Sequence, residues 1–283
     1  MFILWLLIPI LILLGLGLGL SFFFTKRAHL KEINSPAEYG LEFEKIAFQT
    51  ADGLTLRGWL VSGSDLQRVV VILHGHGGSI DYDLKYVPYL HAAGYNVLQF
   101  DFRGHGRSQG NAITFGYLER RDVQAAVKFL CGRGLTRIAL HGFSLGGIIA
   151  MVSAPICPEV SVVIDDGGPA RMRTALGGWC LERGIPGWLA RPVVWLMLAA
   201  TSLRFGANFF HYEPVHWVGK IAPRPLMMIH GDRDQYVTDF DDLLRAAKPS
   251  EVWRLPEEGH VTVSINQRDE YWRRVIAFLN QNL

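Results

Sequence analysis

Two patterns of hydrophobic residues alternate along most of the chain. Five short apolar runs have the length and composition of buried parallel strands. They cover residues 68–73, 95–100, 137–141, 160–164 and 225–229. Five segments of helical length separate or follow these runs. They cover residues 82–93, 116–130, 145–153, 239–247 and 269–279. The alternation predicts an α/β fold with a mostly parallel central sheet and helices on both faces.

The segments outside this alternation complete the predicted fold. Residues 42–50 and 54–61 flank an Asp-Gly pair and predict an antiparallel β-hairpin, and residues 251–255 predict a late strand. A long stretch, about 167–220, separates two of the predicted strands and is rich in Trp, Leu and Gly rather than in turn residues. We interpret it as an inserted helical cap.

The N-terminal segment is apolar without interruption. Residues 2–24 contain no charged side chain, and a helix of that length is roughly 34 Å long, enough to cross a bilayer. The alternative is a cleaved signal peptide, but no Lys or Arg precedes the run and the run continues past its small-residue motif. We therefore expect an uncleaved transmembrane helix at 2–24, a juxtamembrane linker at 25–40 and a globular domain at 41–283.

Basic residues follow the apolar run. Lys26, Arg27 and Lys31 lie on its C-terminal side, and basic residues flanking a membrane span favour the cytoplasmic side. The expected protein is thus single-pass, with its globular domain in the cytoplasm.

Composition and charge argue against several classes of function. The 283 residues are 49% hydrophobic and 19% charged, with 28 Lys and Arg against 26 Asp and Glu. A net charge of +2 without a basic tract offers no electrostatic surface for nucleic acid. Three cysteines without C-x-x-C spacing argue against both a disulfide framework and a thiolate metal site.

The most specific motif is Gly142-Phe143-Ser144-Leu145-Gly146, between a predicted strand and a predicted helix. Small residues two positions before and after the serine allow strand and helix to approach, and the sharp turn exposes the hydroxyl. Ser144 is therefore the candidate nucleophile.

A serine nucleophile needs a base and an acid that orients the base. Both are available after the cap: the segment 231–237 carries Asp232 and Asp234, and His260 follows the strand at 251–255. The order serine, acid, histidine is that of α/β-hydrolases. Asp165 and Asp166, which follow the strand after the serine helix, are a second choice for the acid.

The sequence resembles α/β-hydrolases of the lysophospholipase and monoacylglycerol-lipase-like branch over nearly all of 41–283. Besides the serine motif, the resemblance rests on three segments. They are Leu-His-Gly-His-Gly-Gly at 73–78, Asp-Phe-Arg-Gly-His-Gly-Arg-Ser at 101–108 and His-Gly-Asp-Arg-Asp at 230–234.

This resemblance implies an α/β-hydrolase fold and a Ser-His-Asp triad that cleaves carboxylic esters, including lipid acyl esters, through an acyl-enzyme without a cofactor. It implies that Asp234 is the acid and Asp232 a turn residue. It also implies that the backbone N–H groups of His76 and Leu145 bind the oxyanion.

Alternatives remain at three levels. His74 and His76 form an H-x-H pair, but Gly77-Gly78 replaces the Asp-His continuation of binuclear metallohydrolases, so we expect no metal. The same triad could cleave peptides, amides or thioesters, because it determines the mechanism and not the leaving group. Outside catalysis, the chain could be a membrane-tethered binding protein on a hydrolase fold.

The composition of the predicted cap gives an indication of the substrate class. Its tryptophans and an apolar helix suggest either simple packing on the sheet domain or a lipophilic acyl pocket or membrane contact. On the acyl-pocket interpretation, Trp188 and Trp195 are expected to shape the preference for acyl chain length.

Overall fold

The computed structural model describes residues 2–28 and 34–283, and within the first helix it describes the side chains of Ile8 and residues 11–25. The strands are β1 Glu44–Gln49, β2 Thr55–Val61, β3 Arg68–Leu73, β4 Asn96–Phe100, β5 Arg137–Phe143, β6 Val160–Asp166, β7 Leu226–Gly231 and β8 Glu251–Leu255. The helices are α1 Phe2–Thr25, α2 Ile80–Asp83, α3 Val87–Ala92, α4 Glu119–Cys131, α5 Leu145–Ser153, α6 Met172–Glu182, α7 Gly187–Phe205, α8 Phe240–Ala247, α9 Val263–Asn266 and α10 Arg268–Asn282.

All of these strands belong to one sheet in the order β1-β2-β4-β3-β5-β6-β7-β8. β1 pairs with β2 and β2 with β4 in antiparallel fashion, and every later pair is parallel. The predicted N-terminal hairpin and mostly parallel α/β sheet are thus confirmed. Because the C-terminal ends of β5, β7 and β8 lie along one edge, the loops after them converge there.

The sheet is covered on both faces, as the apolar runs predicted. In β3, Val69 and Val71 pack with α4 and α5 residues on one face, and Val70 and Ile72 pack with α3 and α10 residues on the other. Successive side chains of a strand point to opposite faces. A strand that is buried on both sides therefore needs an unbroken apolar sequence.

The helix predicted at 82–93 is divided in the structure. Helix α2 ends at Asp83, a 3₁₀ turn covers Leu84–Tyr86, and α3 begins at Val87 with Pro88 in its first turn. Proline has no N–H to donate to the preceding turn, so a continuous α-helix through this point would lose a hydrogen bond.

The predicted cap contains α6 and α7, and α1 packs against α7. Gly17 allows this approach, because a Cβ there would lie 3.1 Å from the carbonyl oxygen of Leu196. Across the residues described, no helix is long and apolar enough to cross a membrane, so the transmembrane prediction for 2–24 has no structural support.

The predicted linker 25–40 makes defined contacts at its start, whereas most of residues 34–40 are exposed, and its residues 29–33, with Lys31, lie outside the described residues. The guanidinium of Arg27 donates to the carbonyl oxygens of Gly106, Ser108 and Gly110 at 2.7–3.0 Å. Residues 36–39 form a 3₁₀ turn. The interpretation as an unpacked linker is therefore wrong for residues 25–28.

Candidate active site

Ser144 occupies a strained turn between β5 and α5. Its backbone has φ 54° and ψ −112°, a combination that is uncommon for a residue with a side chain. The backbone N–H of Ser144 donates to the carbonyl of Asp166 at 2.9 Å, which holds the turn against the neighbouring strand. This is the geometry of a nucleophile elbow, in which the hydroxyl projects from the sheet edge.

The two glycines of the motif are required by close contacts. A Cβ on Gly142 would lie 2.2 Å from the carbonyl oxygen of Gly146, and a Cβ on Gly146 would lie 1.9 Å from that of Leu73. Neither space admits a methyl group. The spacing G-x-S-x-G thus follows from the way in which β5, α5 and β3 meet.

The side chains of Ser144, His260 and Asp234 form one hydrogen-bonded chain. His260 Nε2 lies 2.8 Å from Ser144 Oγ, and His260 Nδ1 lies 2.6 Å from Asp234 Oδ2. Because a carboxylate can only accept, Nδ1–H is the donor to Asp234 and Nε2 is left to accept from the serine hydroxyl. Asp234 is buried, and its other oxygen accepts from the N–H of Tyr236 at 2.8 Å.

The other aspartates considered for the acid lie elsewhere. Asp232 forms an ion pair with Arg254 at the surface. Asp165 accepts from the N–H of Gly168 at 3.0 Å, and Asp166 accepts from the hydroxyl of Tyr271 at 2.8 Å. Burial is the main cause that raises the pKa of Asp166 to about 7. None of these three carboxylates is hydrogen-bonded to His260.

The candidate oxyanion donors lie beside Ser144. His76 and Leu145 both line the cavity that contains the serine. Within the described part of the chain, neither backbone N–H donates to a protein acceptor. Leu145 is also the first residue of α5, where an N–H has no partner in the preceding turn. Both groups are available to a developing oxyanion.

The H-x-H pair is occupied by backbone interactions. His74 Nδ1–H donates to the Gly75 carbonyl at 2.9 Å, and the Phe102 N–H donates to His74 Nε2 at 3.1 Å. His76 Nε2–H donates to the Phe24 carbonyl at 3.3 Å, and burial lowers the pKa of this imidazole. Among the described residues, no group of three or more His, Cys, Asp or Glu side chains is arranged to hold a metal ion.

The cavity at Ser144 is mainly apolar and has a volume of about 590 Å³. Helix α6 contributes one wall through Met172, Leu176 and Trp179, whose spacing places them on one helical face. Phe24, at the end of α1, also lines the cavity. Of these four residues, Trp179 is one of the cap tryptophans considered from the sequence; the other three were not identified, although the apolar spacing in α6 was a usable signal.

Two of the cap tryptophans, Trp188 and Trp195, lie outside the cavity. Trp188 is 77% exposed, Trp195 is 59% exposed, and neither lines the cavity. The prediction that these two shape an acyl pocket is wrong, since α7 turns that face away from Ser144. Trp179 on α6 is the cap tryptophan that lines the cavity.

Comparison with known proteins identifies the family. The model of the alpha/beta hydrolase family matches residues 70–276, most of the chain. The chain belongs to the alpha/beta hydrolase family. It is 26% identical to the uncharacterized protein YqkD of Bacillus subtilis over 262 residues, which cover 86% of this chain and 81% of the relative. It is 25% identical to the alpha/beta hydrolase domain-containing protein WAV2 of Arabidopsis thaliana, covering 87% and 82%.

Solved structures agree with this family membership. The esterase Pf2001 of Pyrococcus furiosus superposes with a TM-score of 0.74 at 26% identity, covering 91% of this alpha/beta hydrolase and 99% of that chain. A second crystal form of the same esterase gives a TM-score of 0.77 at 24% identity. These comparisons support the family and not the lysophospholipase and monoacylglycerol-lipase-like branch within it.

Proposed function

We propose that this alpha/beta hydrolase is a serine esterase that acts through an acyl-enzyme. The observation that carries the proposal is the hydrogen-bonded chain from Ser144 through His260 to Asp234, which begins at a strained elbow inside a cavity. A serine hydroxyl in that chain has a base to take its proton and an acid to orient the base. The structural similarity to an esterase of Pyrococcus furiosus is consistent with this chemistry.

The proposed reaction has two halves. Ser144 Oγ attacks the acyl carbonyl as His260 Nε2 takes its proton, and the N–H groups of His76 and Leu145 receive the oxyanion. His260 then protonates the leaving alkoxide, which departs and leaves an acyl-serine. Water, deprotonated by the same imidazole, attacks this acyl group. The bond between the acyl carbon and Ser144 Oγ then breaks, His260 returns its proton to Oγ, and the carboxylic acid is released. Asp234 keeps the imidazole in its productive tautomer and stabilises its cationic form.

An acyl ester is the substrate class that fits the cavity. The lining beside Ser144 is largely aromatic and aliphatic, so it favours an acyl chain over a compact polar group. A panel of p-nitrophenyl esters from acetate to octanoate, run beside thioesters and aminoacyl amides, tests this assignment. We expect kcat/KM to rise with chain length, and a thioester or amide hydrolysed better than every ester would overturn the ester assignment.

A pair of serine variants tests the mechanism. Ser144→Ala should abolish ester hydrolysis. Ser153→Ala should preserve it, because Ser153 is a buried serine at the other end of α5 and does not line the cavity. A native protein that hydrolyses no ester and retains only binding would instead favour the scaffold alternative.

The proposal also includes attachment to a membrane through residues 2–24, with the catalytic domain in the cytoplasm. Its support lies in the sequence, in which residues 2–24 carry no charged side chain. Lys26 and Arg27 follow on the side expected to face the cytoplasm. The protein should resist alkaline carbonate extraction and be protected from protease in intact cells. Extraction or digestion under these conditions would contradict this part of the proposal.

A further inference from the structure

Helix α1 is joined to the cap by polar contacts as well as by close packing. Ser21 Oγ lies 2.9 Å from Thr201 Oγ1 on α7. The guanidinium of Arg204, also on α7, donates to Ser21 Oγ at 2.7 Å and to Thr25 Oγ1 at 2.9 Å. The last two turns of α1 are therefore held in one orientation relative to the cap.

Residues 25–28, at and after the end of α1, are hydrogen-bonded to the catalytic domain. The Ile113 N–H donates to the Thr25 carbonyl at 2.8 Å, and the Ala28 N–H donates to the Gly104 carbonyl at 2.8 Å. With the three carbonyl contacts of Arg27, these bonds tie residues 25–28 to the loop after β4. The C-terminal end of α1 is thus fixed between the cap and the catalytic domain.

Phe24 lies at this fixed point and faces the active-site cavity. The residue is 7% exposed, and its ring packs edge-on against the indole of Trp179, with ring centroids 4.4 Å apart. Both rings line the cavity that contains Ser144. The neighbouring Phe22 is 58% exposed and does not line the cavity.

The backbone of Phe24 also reaches the oxyanion loop. Its carbonyl accepts from His76 Nε2–H at 3.3 Å, and the His76 ring is stacked on Phe115 with centroids 5.4 Å apart. The ring of Phe24 and the peptide unit that follows it thus contact two parts of the site, the cavity wall formed by α6 and the loop that carries a candidate oxyanion donor.

We infer that the N-terminal helix is a component of the active site, in which Phe24, paired with Trp179, forms a wall of the acyl pocket and determines acyl-chain specificity. The inference rests on the proposed esterase function. It assigns a role in substrate selection to a segment whose sequence indicates only a membrane anchor. A buried aromatic pair beside the nucleophile provides contact area to a long acyl chain and little to an acetyl group.

The test compares full-length variants in detergent micelles. For each, the ratio of kcat/KM on p-nitrophenyl octanoate to that on the acetate is measured. Phe24→Ala should lower this ratio about tenfold, which corresponds to the loss of about two buried methylenes. Phe22→Ala, the matched control on the same turn, should leave the ratio within about twofold of the native value.

Two further variants keep the inference testable if Phe24→Ala folds poorly. Phe24→Leu retains apolar bulk and should lower the ratio less than the alanine variant. In a double-mutant cycle, Trp179→Ala combined with Phe24→Leu should lower the ratio by less than the product of the two single effects, because the rings act as one wall. Multiplicative effects would contradict a shared wall.

The results distinguish failure of this inference from failure of the esterase proposal. If the native protein hydrolyses neither ester, the esterase proposal itself fails. If the native protein hydrolyses both and the ratio is unchanged in Phe24→Ala and Phe24→Leu, the esterase proposal stands and the role of Phe24 is overturned.

Discussion

Asp234 Oδ2 lies 2.6 Å from His260 Nδ1, whereas the carboxylate of Asp232, only two residues earlier, pairs with Arg254 at the protein surface. The two aspartates belong to one short turn after β7, and both side chains are acidic. Their different partners predict different consequences for the same substitution.

We expect Asp234→Asn to lower kcat by about 10⁴-fold while the protein remains folded, because the asparagine amide does not hold the imidazole in the tautomer that accepts the serine proton. Asp232→Asn, the matched control, removes only a surface ion pair, worth about 1 kcal/mol or less in stability. Steady-state kinetics on an acetate ester measures both. Inactivation by Asp166→Asn combined with an active Asp234→Asn would show that the acid is misassigned.

The close contact at Gly146 gives a second prediction. Gly146→Ala places a methyl group against the Leu73 carbonyl and should destabilise the fold by about 3 kcal/mol or more, with loss of activity. Gly177→Ala on α6 is the control, because a Cβ there meets no atom within 4 Å and alanine favours a helix. Thermal unfolding and ester hydrolysis should both be retained in the control variant.

Buried Asp166 predicts how stability depends on pH. Its pKa is raised to about 7 in the folded protein, from an ordinary carboxyl value of 3.8, mainly by burial. Between about pH 4 and 7 the folded state therefore binds more protons than the unfolded state, so this group makes stability fall as pH rises through that window. Buried Asp83, with its pKa also raised to about 7, acts in the same direction.

Asp166→Asn should reduce the loss of stability that accompanies a rise in pH through this window. Each pKa unit corresponds to about 1.4 kcal/mol. The decrease in the free energy of unfolding from pH 5 to pH 8 should therefore be smaller in Asp166→Asn than in the native protein, by about 1–4 kcal/mol. Urea denaturation at the two pH values measures it. Asp65→Asn is the control, because hydrogen bonds from backbone N–H groups lower the pKa of Asp65 to about 2 and place its effect below this window. Identical pH dependence in Asp166→Asn and the native protein would contradict the assignment.

The sequence predicted best those features that depend on residues close together in the chain. The glycines around Ser144 are visible in the sequence because the elbow needs them within five residues. Likewise, the uninterrupted apolar run of β3 reflects a strand covered on both faces. Both features were predicted without knowledge of what lies around them.

Contacts between distant segments were not predictable in this way. Helix α7 is apolar on most of its surface, so its sequence does not indicate which face packs on α1 and which leaves Trp188 and Trp195 exposed. The same holds for Phe24, which follows two other phenylalanines and differs from both in being buried and in lining the cavity. Within the apolar run 2–24, no periodicity in the sequence distinguishes a residue that lines the cavity from the other residues of the helix.

The assignment of Ser144 as the nucleophile is tested most directly by mass-spectrometric mapping of the site at which a fluorophosphonate reacts with the full-length protein. We expect a single adduct on the peptide containing Ser144, lost in Ser144→Ala and retained in Ser153→Ala, because Ser144 is the one serine among the described residues that is hydrogen-bonded to His260. An adduct on another serine, or an unlabelled native protein that still hydrolyses esters, would contradict it.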